Sequence, residues 1–174
     1  MNNKPNFPDA PDPGTRFGAR GEGWVIAQFI LIPIVCLVAY LFPIATIAPI
    51  WDDPLRRAVR VLGAVVAVIG IGLVFVGARG LGPNLTPNPK PRDAGVLVQT
   101  GVYAIIRHPI YAGIILLVLA FGLYQGSLGG LMAAMLTFVF FDQKSRREER
   151  WLRAKFPNYA DYARHTRKLI PFVY

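Results

Sequence analysis

The sequence predicts an all-α integral membrane protein with about four transmembrane helices, a C-terminal helical hairpin and cytoplasmic cofactor-binding loops. Three observations carry this. The chain of 174 residues is 53% hydrophobic, with a mean hydropathy of +0.40, and the apolar residues sit in long charge-free blocks. The prolines fall mostly between or at the ends of those blocks. The formal charge of +9 comes from basic residues flanking the blocks, which points to a membrane surface rather than nucleic acid.

Taken in order, residues 1–23 are polar and rich in Pro, Gly and Asp. They lack the pattern of a signal peptide and read as a flexible tail. A region of N-terminal helices and linker follows over 24–78. Trp24 to Phe42 is a first run of 19 residues without a formal charge, with Pro33 inside and Pro43 after it; a membrane helix tolerates such a proline when neighbours satisfy the freed carbonyl. Pro43 to Trp51 is apolar but broken by prolines, as in a lid or re-entrant piece. Asp52, Asp53 and Pro54 mark a helix start. The second run, Val61 to Ala78, has 18 uncharged residues, and Gly63, Ala67 and Gly70 give it a small-residue face for close packing.

Residues 79–174 form the third region. It opens with Arg79 to Gly95, a loop with four prolines that excludes regular helix or central strand. Ile110 to Phe141 then holds 32 uncharged positions, about 48 Å as one straight helix against a bilayer core of about 30 Å. Tyr124 to Gly130 (YQGSLGG) breaks it into two short arms. The second arm continues as a helix through the charged residues that follow, until Pro157 stops it at Phe156.

Four spans place both termini on one side. Of the 19 basic residues, three lie in the tail, four between the second and third spans and nine after the last span, while Arg56, Arg57 and Arg60 alone fall on the other side. The positive-inside rule then makes both termini and the middle loop cytoplasmic. The lone Cys36 has no disulfide partner, and no His/Cys/Asp/Glu spacing suits a metal.

This topology gathers the proline loop, the Arg107–His108 pair and the segment Arg146 to Glu149 at one interface. Cations, a His, two carboxylates and several Tyr suit a zwitterionic ligand. The same residues also fit plainer roles. Arg107 and His108 could anchor a helix at the headgroups, and Glu149 with Arg153 could be a solvated i,i+4 pair. Composition and spacing lead to a small membrane protein with an anion site at its cytoplasmic face.

Two stretches go further by resemblance. LVQTGVYAIIRHPIYAG, Leu97 to Gly113, resembles the signature of the isoprenylcysteine carboxyl methyltransferase family, and REERWLRAKFPNYADYARHTRKLIPF, Arg147 to Phe172, resembles that family's closing pattern. The resemblance covers roughly residues 79–172. It implies a membrane enzyme that transfers a methyl group from S-adenosylmethionine to a lipophilic or prenylated substrate, an isoprenylcysteine-like carboxylate. It also implies that Gln99, Thr100, Gly101, Tyr103, Arg107, His108, Pro109, Tyr111, Glu148 and Glu149 bind the cofactor. Arg107 and His108 would take its carboxylate, and Glu148 and Glu149 would supply the acidic contact. Arg107, His108, Arg146 and Glu149 would be the catalytic set, with Arg146 toward the substrate. No metal and no nucleic acid are implied, and membrane lipid is the expected surrounding. Small thiols, phospholipid amines and isoprenoid acids stay open as acceptors. Membrane sterol reductases, which use NADPH, are similar around Arg-His-Pro-x-Tyr-x-Gly. They commonly carry a Glu after the last Gly, where this chain has Ile114. A non-enzymatic membrane anchor is the third alternative.

Overall fold

The computed structural model describes residues 20–41, 53–171 and 173–174. The Pro43–Trp51 segment and most of the N-terminal tail lie outside the described residues. The described residues form five α-helices: α1 Glu22–Leu41, α2 Asp53–Leu81, α3 Pro109–Gln125, α4 Leu128–Lys155 and α5 Tyr159–His165. Short 3₁₀ turns follow at Gly82–Asn84 and Gly101–Ala104. Among the described residues there is no strand, only an isolated parallel bridge between Ile106 and Arg167.

The boundaries follow local chemistry. α2 opens at Asp53 with Pro54 behind it, where a missing N–H costs nothing. α3 ends at Gly126, whose φ of 63° is left-handed and whose N–H returns to Gly122 O and Leu123 O. Ser127 begins α4: its Oγ accepts from Gly130 N–H at 3.1 Å and donates to Ala39 O at 2.7 Å, tying the hairpin turn to the end of α1. α4 stops at an extended Phe156, because Pro157 disfavours a helical residue before it. The expected hairpin is therefore α3 and the apolar half of α4, and α4 does run on through its charged half.

Among the described residues, α1 and α2 are the two helices long and apolar enough to cross a membrane; α3 is a shorter apolar helix. Only 11% and 17% of the most apolar windows of α1 and α2 are buried inside the protein. Val61, Val65, Val68, Ile69 and Phe75 on α2 and Phe29, Ile30 and Leu37 on α1 are exposed. A soluble core helix would hide such a surface, whereas lipid would cover it.

Close helix approach rests on glycine. Gly63, Gly70 and Gly77 recur every seven residues along α2 and face α3; a Cβ on Gly113 would stand 2.6 Å from Gly70 O. Between α3 and α4, a Cβ on Gly122 would stand 2.6 Å from the Gly130 carbonyl carbon. Small residues let backbones touch where lipid supplies little drive for association. Val35, Ala39, Val118, Ala133 and Ala134 form the core where α1, α3 and α4 meet.

Candidate active site

The segment before α3 is held by the end of the chain. Arg107 N–H donates to Arg167 O at 2.8 Å, His108 N–H to Lys168 O at 3.1 Å, and Arg167 N–H returns to Ile105 O at 3.0 Å. The hairpin then brings α4's charged half alongside. Glu149 Oε1 accepts from Arg107 Nε at 2.8 Å and lies 3.3 Å from His108 Nε2. Nη1 of Arg107 donates to Ala163 O at 3.0 Å and to Thr166 O at 2.5 Å. The guanidinium thus clamps α4, α5 and the C-terminal segment together.

Burial alone would raise the Glu149 pKa. The bonds and charges of His108 and Arg107 outweigh it and hold the carboxyl down at about 2.

Glu148, one residue earlier, faces a different way. Its Oε2 accepts from Tyr111 OH at 2.7 Å and lies 3.9 Å from His108 Nδ1. The His108 and Tyr111 rings stack at 5.3 Å and 1°. These groups open onto a cavity of about 330 Å³. Tyr103, Arg107, His108, Pro109, Tyr111 and Glu148 all line it. Apolar side chains of the proline loop and the segment after it, Leu85, Val96, Leu97 and Val98, and of the end of α4 and its cap, Leu152 and Phe156, also line it. Lys155 Nζ pins that loop by bonds to Arg92 O and Asp93 O. The polar segment ahead of α1 also packs on it, since Lys90 N–H donates to Arg20 O at 3.3 Å.

The remaining expected residues lie elsewhere. Gln99, Thr100 and Gly101 are not on the cavity wall; Thr100 and Gly101 are exposed, and the Thr100 carbonyl takes the Tyr103 N–H. Glu149 stands behind the wall, holding Arg107 and His108. Arg146 is not on the wall. Its largely exposed side chain bonds Asp142 Oδ2 at 2.7 Å and Tyr174 OH at 3.3 Å. Asp142 also accepts from Lys168 Nζ at 2.6 Å. Burial pushes the Asp142 carboxyl up, but the bonds from Lys168, Tyr174 and Arg146 bring it below its ordinary value.

Three contributors were missed in the sequence. Lys144, Gln28 and Tyr159 all line the cavity. Gln28 interrupts an otherwise apolar run and Lys144 lies one turn before Glu148; those were the available signals. Tyr159 OH is buried without a hydrogen-bond partner among the described residues.

The model of the phospholipid methyltransferase family matches residues 58–159. The chain belongs to the phospholipid methyltransferase family. That family covers membrane methyltransferases like those the two signature stretches resemble. The chain is also 30% identical over 122 residues to the cobalt-zinc-cadmium resistance protein CzcN of Cupriavidus metallidurans, a match that covers 70% of this chain and 51% of that protein. The chain therefore spans about half the length of this curated relative. The matched family region runs from α2 to the start of α5 and includes every charged residue on the cavity wall. No group of His, Cys, Asp and Glu among the described residues could hold a metal.

Proposed function

We propose that this phospholipid methyltransferase family member is an S-adenosylmethionine-dependent methyltransferase acting at a membrane interface on a lipophilic acceptor, of which an isoprenylcysteine-like carboxylate is one. One observation carries the reading. Residues from both feet of the hairpin, Arg107–His108–Tyr111 and Glu148, converge on one cavity that apolar side chains also line.

The donor set fits such a cofactor. Glu148 offers a carboxylate to an ammonium or sulfonium, His108 and Arg107 offer positive or donor groups to a carboxylate, and the apolar side chains suit a base. The unpartnered Tyr159 OH is a buried donor that a ligand would fill. Bound there, S-adenosylmethionine would supply an electrophilic methyl group. The chain's part is alignment and exclusion of water. Glu149 fixes the Arg107 and His108 side chains, Tyr111 and His108 hold Glu148 in place, and the loop pinned by Lys155 forms part of the cavity lining.

In the same reading α1, α2, α3 and the apolar half of α4 are four spans, the last two a short hairpin. The cavity and both termini then face the cytoplasm, where the basic residues gather. The test is calorimetric titration of detergent-purified protein with S-adenosylhomocysteine and, in parallel, NADPH. Binding of S-adenosylhomocysteine is expected. Binding of NADPH alone would move the chain to the reductases, and binding of neither by a folded sample would refute the assignment.

A further inference from the structure

The proline loop borders a second cavity, of about 230 Å³, whose charges take no part in the active site. Arg20, from the segment ahead of α1, lines it together with Thr86, Asn88, Lys90, Arg92 and Asp93 of the loop. Three cations meet one carboxylate there. Elsewhere the buried cations are matched by acids, Arg107 by Glu149 and Lys168 by Asp142. The side chains of Arg20, Lys90 and Arg92 have no ion pair or hydrogen bond among the described residues. Glu22, the acid beside Arg20, takes the Arg20 backbone N–H at 3.1 Å.

Backbone packing holds these cations together. Gly21 has a left-handed φ of 81°, and a Cβ there would stand 2.9 Å from Pro89 Cδ and 3.2 Å from the Trp151 ring. Pro89 is fully buried, and the next residue, Lys90, donates its N–H to Arg20 O at 3.3 Å. Like charges held side by side repel one another, and a bound anion removes that cost. Two guanidinium groups, an ammonium, a hydroxyl and an amide around one space suit a tetrahedral oxyanion with several acceptor atoms. The depth is set as well. Trp24, which opens the apolar run of α1, lies four residues beyond Arg20, about one helical turn or 6 Å, and Trp favours the headgroup level.

We propose that this second cavity binds a phosphate oxyanion, carried by an anionic lipid head or free in solution, and that the bound anion braces the proline loop against the segment ahead of α1. The site is distinct from the one assigned to methyl transfer, since His108, Tyr111 and Glu148 do not line it. Thr86, Pro91 and Arg92 line both cavities, so the loop is their shared wall. An anion in one favours the loop position that forms the other, and the preference is reciprocal. Only this coupling rests on the methyltransferase reading; the phosphate site itself does not.

The test titrates the full chain in nonionic detergent, at physiological salt, with inorganic phosphate, dodecyl phosphate and dodecanol. Calorimetry reads binding, and hydrogen exchange over residues 85–95 reads the loop. Dodecyl phosphate is expected to bind at least about tenfold tighter than dodecanol and to slow exchange in the loop. Inorganic phosphate matching dodecyl phosphate makes the ligand a free phosphate; a clear advantage for dodecyl phosphate makes it a lipid head. Arg20→Gln combined with Lys90→Gln should weaken the phosphate at least about tenfold and remove the slowing. The affinity for S-adenosylhomocysteine measured without phosphate should stay as it was. Arg164→Gln, on α5 and outside this cavity, should leave phosphate binding unchanged. Dodecanol matching dodecyl phosphate, with no binding of inorganic phosphate, would overturn the proposal. So would native affinity in the double variant, an equal loss in Arg164→Gln, or loop exchange that phosphate does not slow. With S-adenosylhomocysteine bound, the phosphate should bind tighter by the same factor by which phosphate tightens S-adenosylhomocysteine. Failure of S-adenosylhomocysteine to bind would sink the methyltransferase reading, and the phosphate titrations and loop exchange would still decide this site.

Discussion

Replacing Glu149 by Gln removes the charge that Arg107 and His108 share, and the structure sets the size of the effect. The carboxyl falls from an ordinary 4.5 to about 2 in the fold, worth about 3 kcal/mol at about 1.36 kcal/mol per unit. Because the folded value is the lower one, this stability is fully present above pH 4.5. It declines as pH falls and is gone below about 2. Glu149→Gln should therefore be about 3 kcal/mol less stable than the native protein near pH 7 and about 1 kcal/mol less stable at pH 3. The assay is the unfolding midpoint in nonionic detergent between pH 7 and 3, followed by tryptophan fluorescence. Trp151, under the Arg147 guanidinium on the same helix, is one reporter. A stability gap that stays constant across this range would refute the coupling of Glu149 to the Arg107–His108 pair.

Three further outcomes are expected. Gly122→Ala should lower the unfolding midpoint by the equivalent of about 1–3 kcal/mol, since its Cβ would stand 2.6 Å from the Gly130 carbonyl carbon; an unchanged midpoint would refute backbone contact between α3 and α4. Asp142→Asn should cost about 2 kcal/mol and weaken S-adenosylhomocysteine binding, because buried Lys168 loses its counter-charge and the Lys168 carbonyl holds His108 N–H. Arg146→Gln, at an exposed pair, should leave both stability and that binding close to the native protein's; the reverse ranking would refute the clamp.

The helices were legible in the sequence because their signals are local. An apolar run, a proline after a cap and a left-handed glycine act within a few residues, so α1, α2, the hairpin turn at Gly126–Ser127 and the stop at Phe156 could be placed by pattern. The seven-residue spacing of Gly63, Gly70 and Gly77 was present as well, but which helix it faced was not. The motif residues Arg107, His108 and Glu149 could be named from their order in the chain, and their division of labour could not. A carboxylate one residue along α4 turns by about 100°. That rotation sets Glu148 on the cavity wall and Glu149 behind it, bonded to Arg107.

Arg146 and Lys144 make the same point. Both are basic residues just beyond the last apolar run, and their order in the chain does not decide which is buried. Helix phase and the approach of α1 turn Arg146 outward to Asp142 and bury Lys144 against Gln28, a residue 116 positions away. The sequence by itself determined the apolar helices, the hairpin and the family. Only the tertiary structure decided which charged groups are structural ties and which face the cavity, because that depends on helix rotation and on partners far apart in the chain.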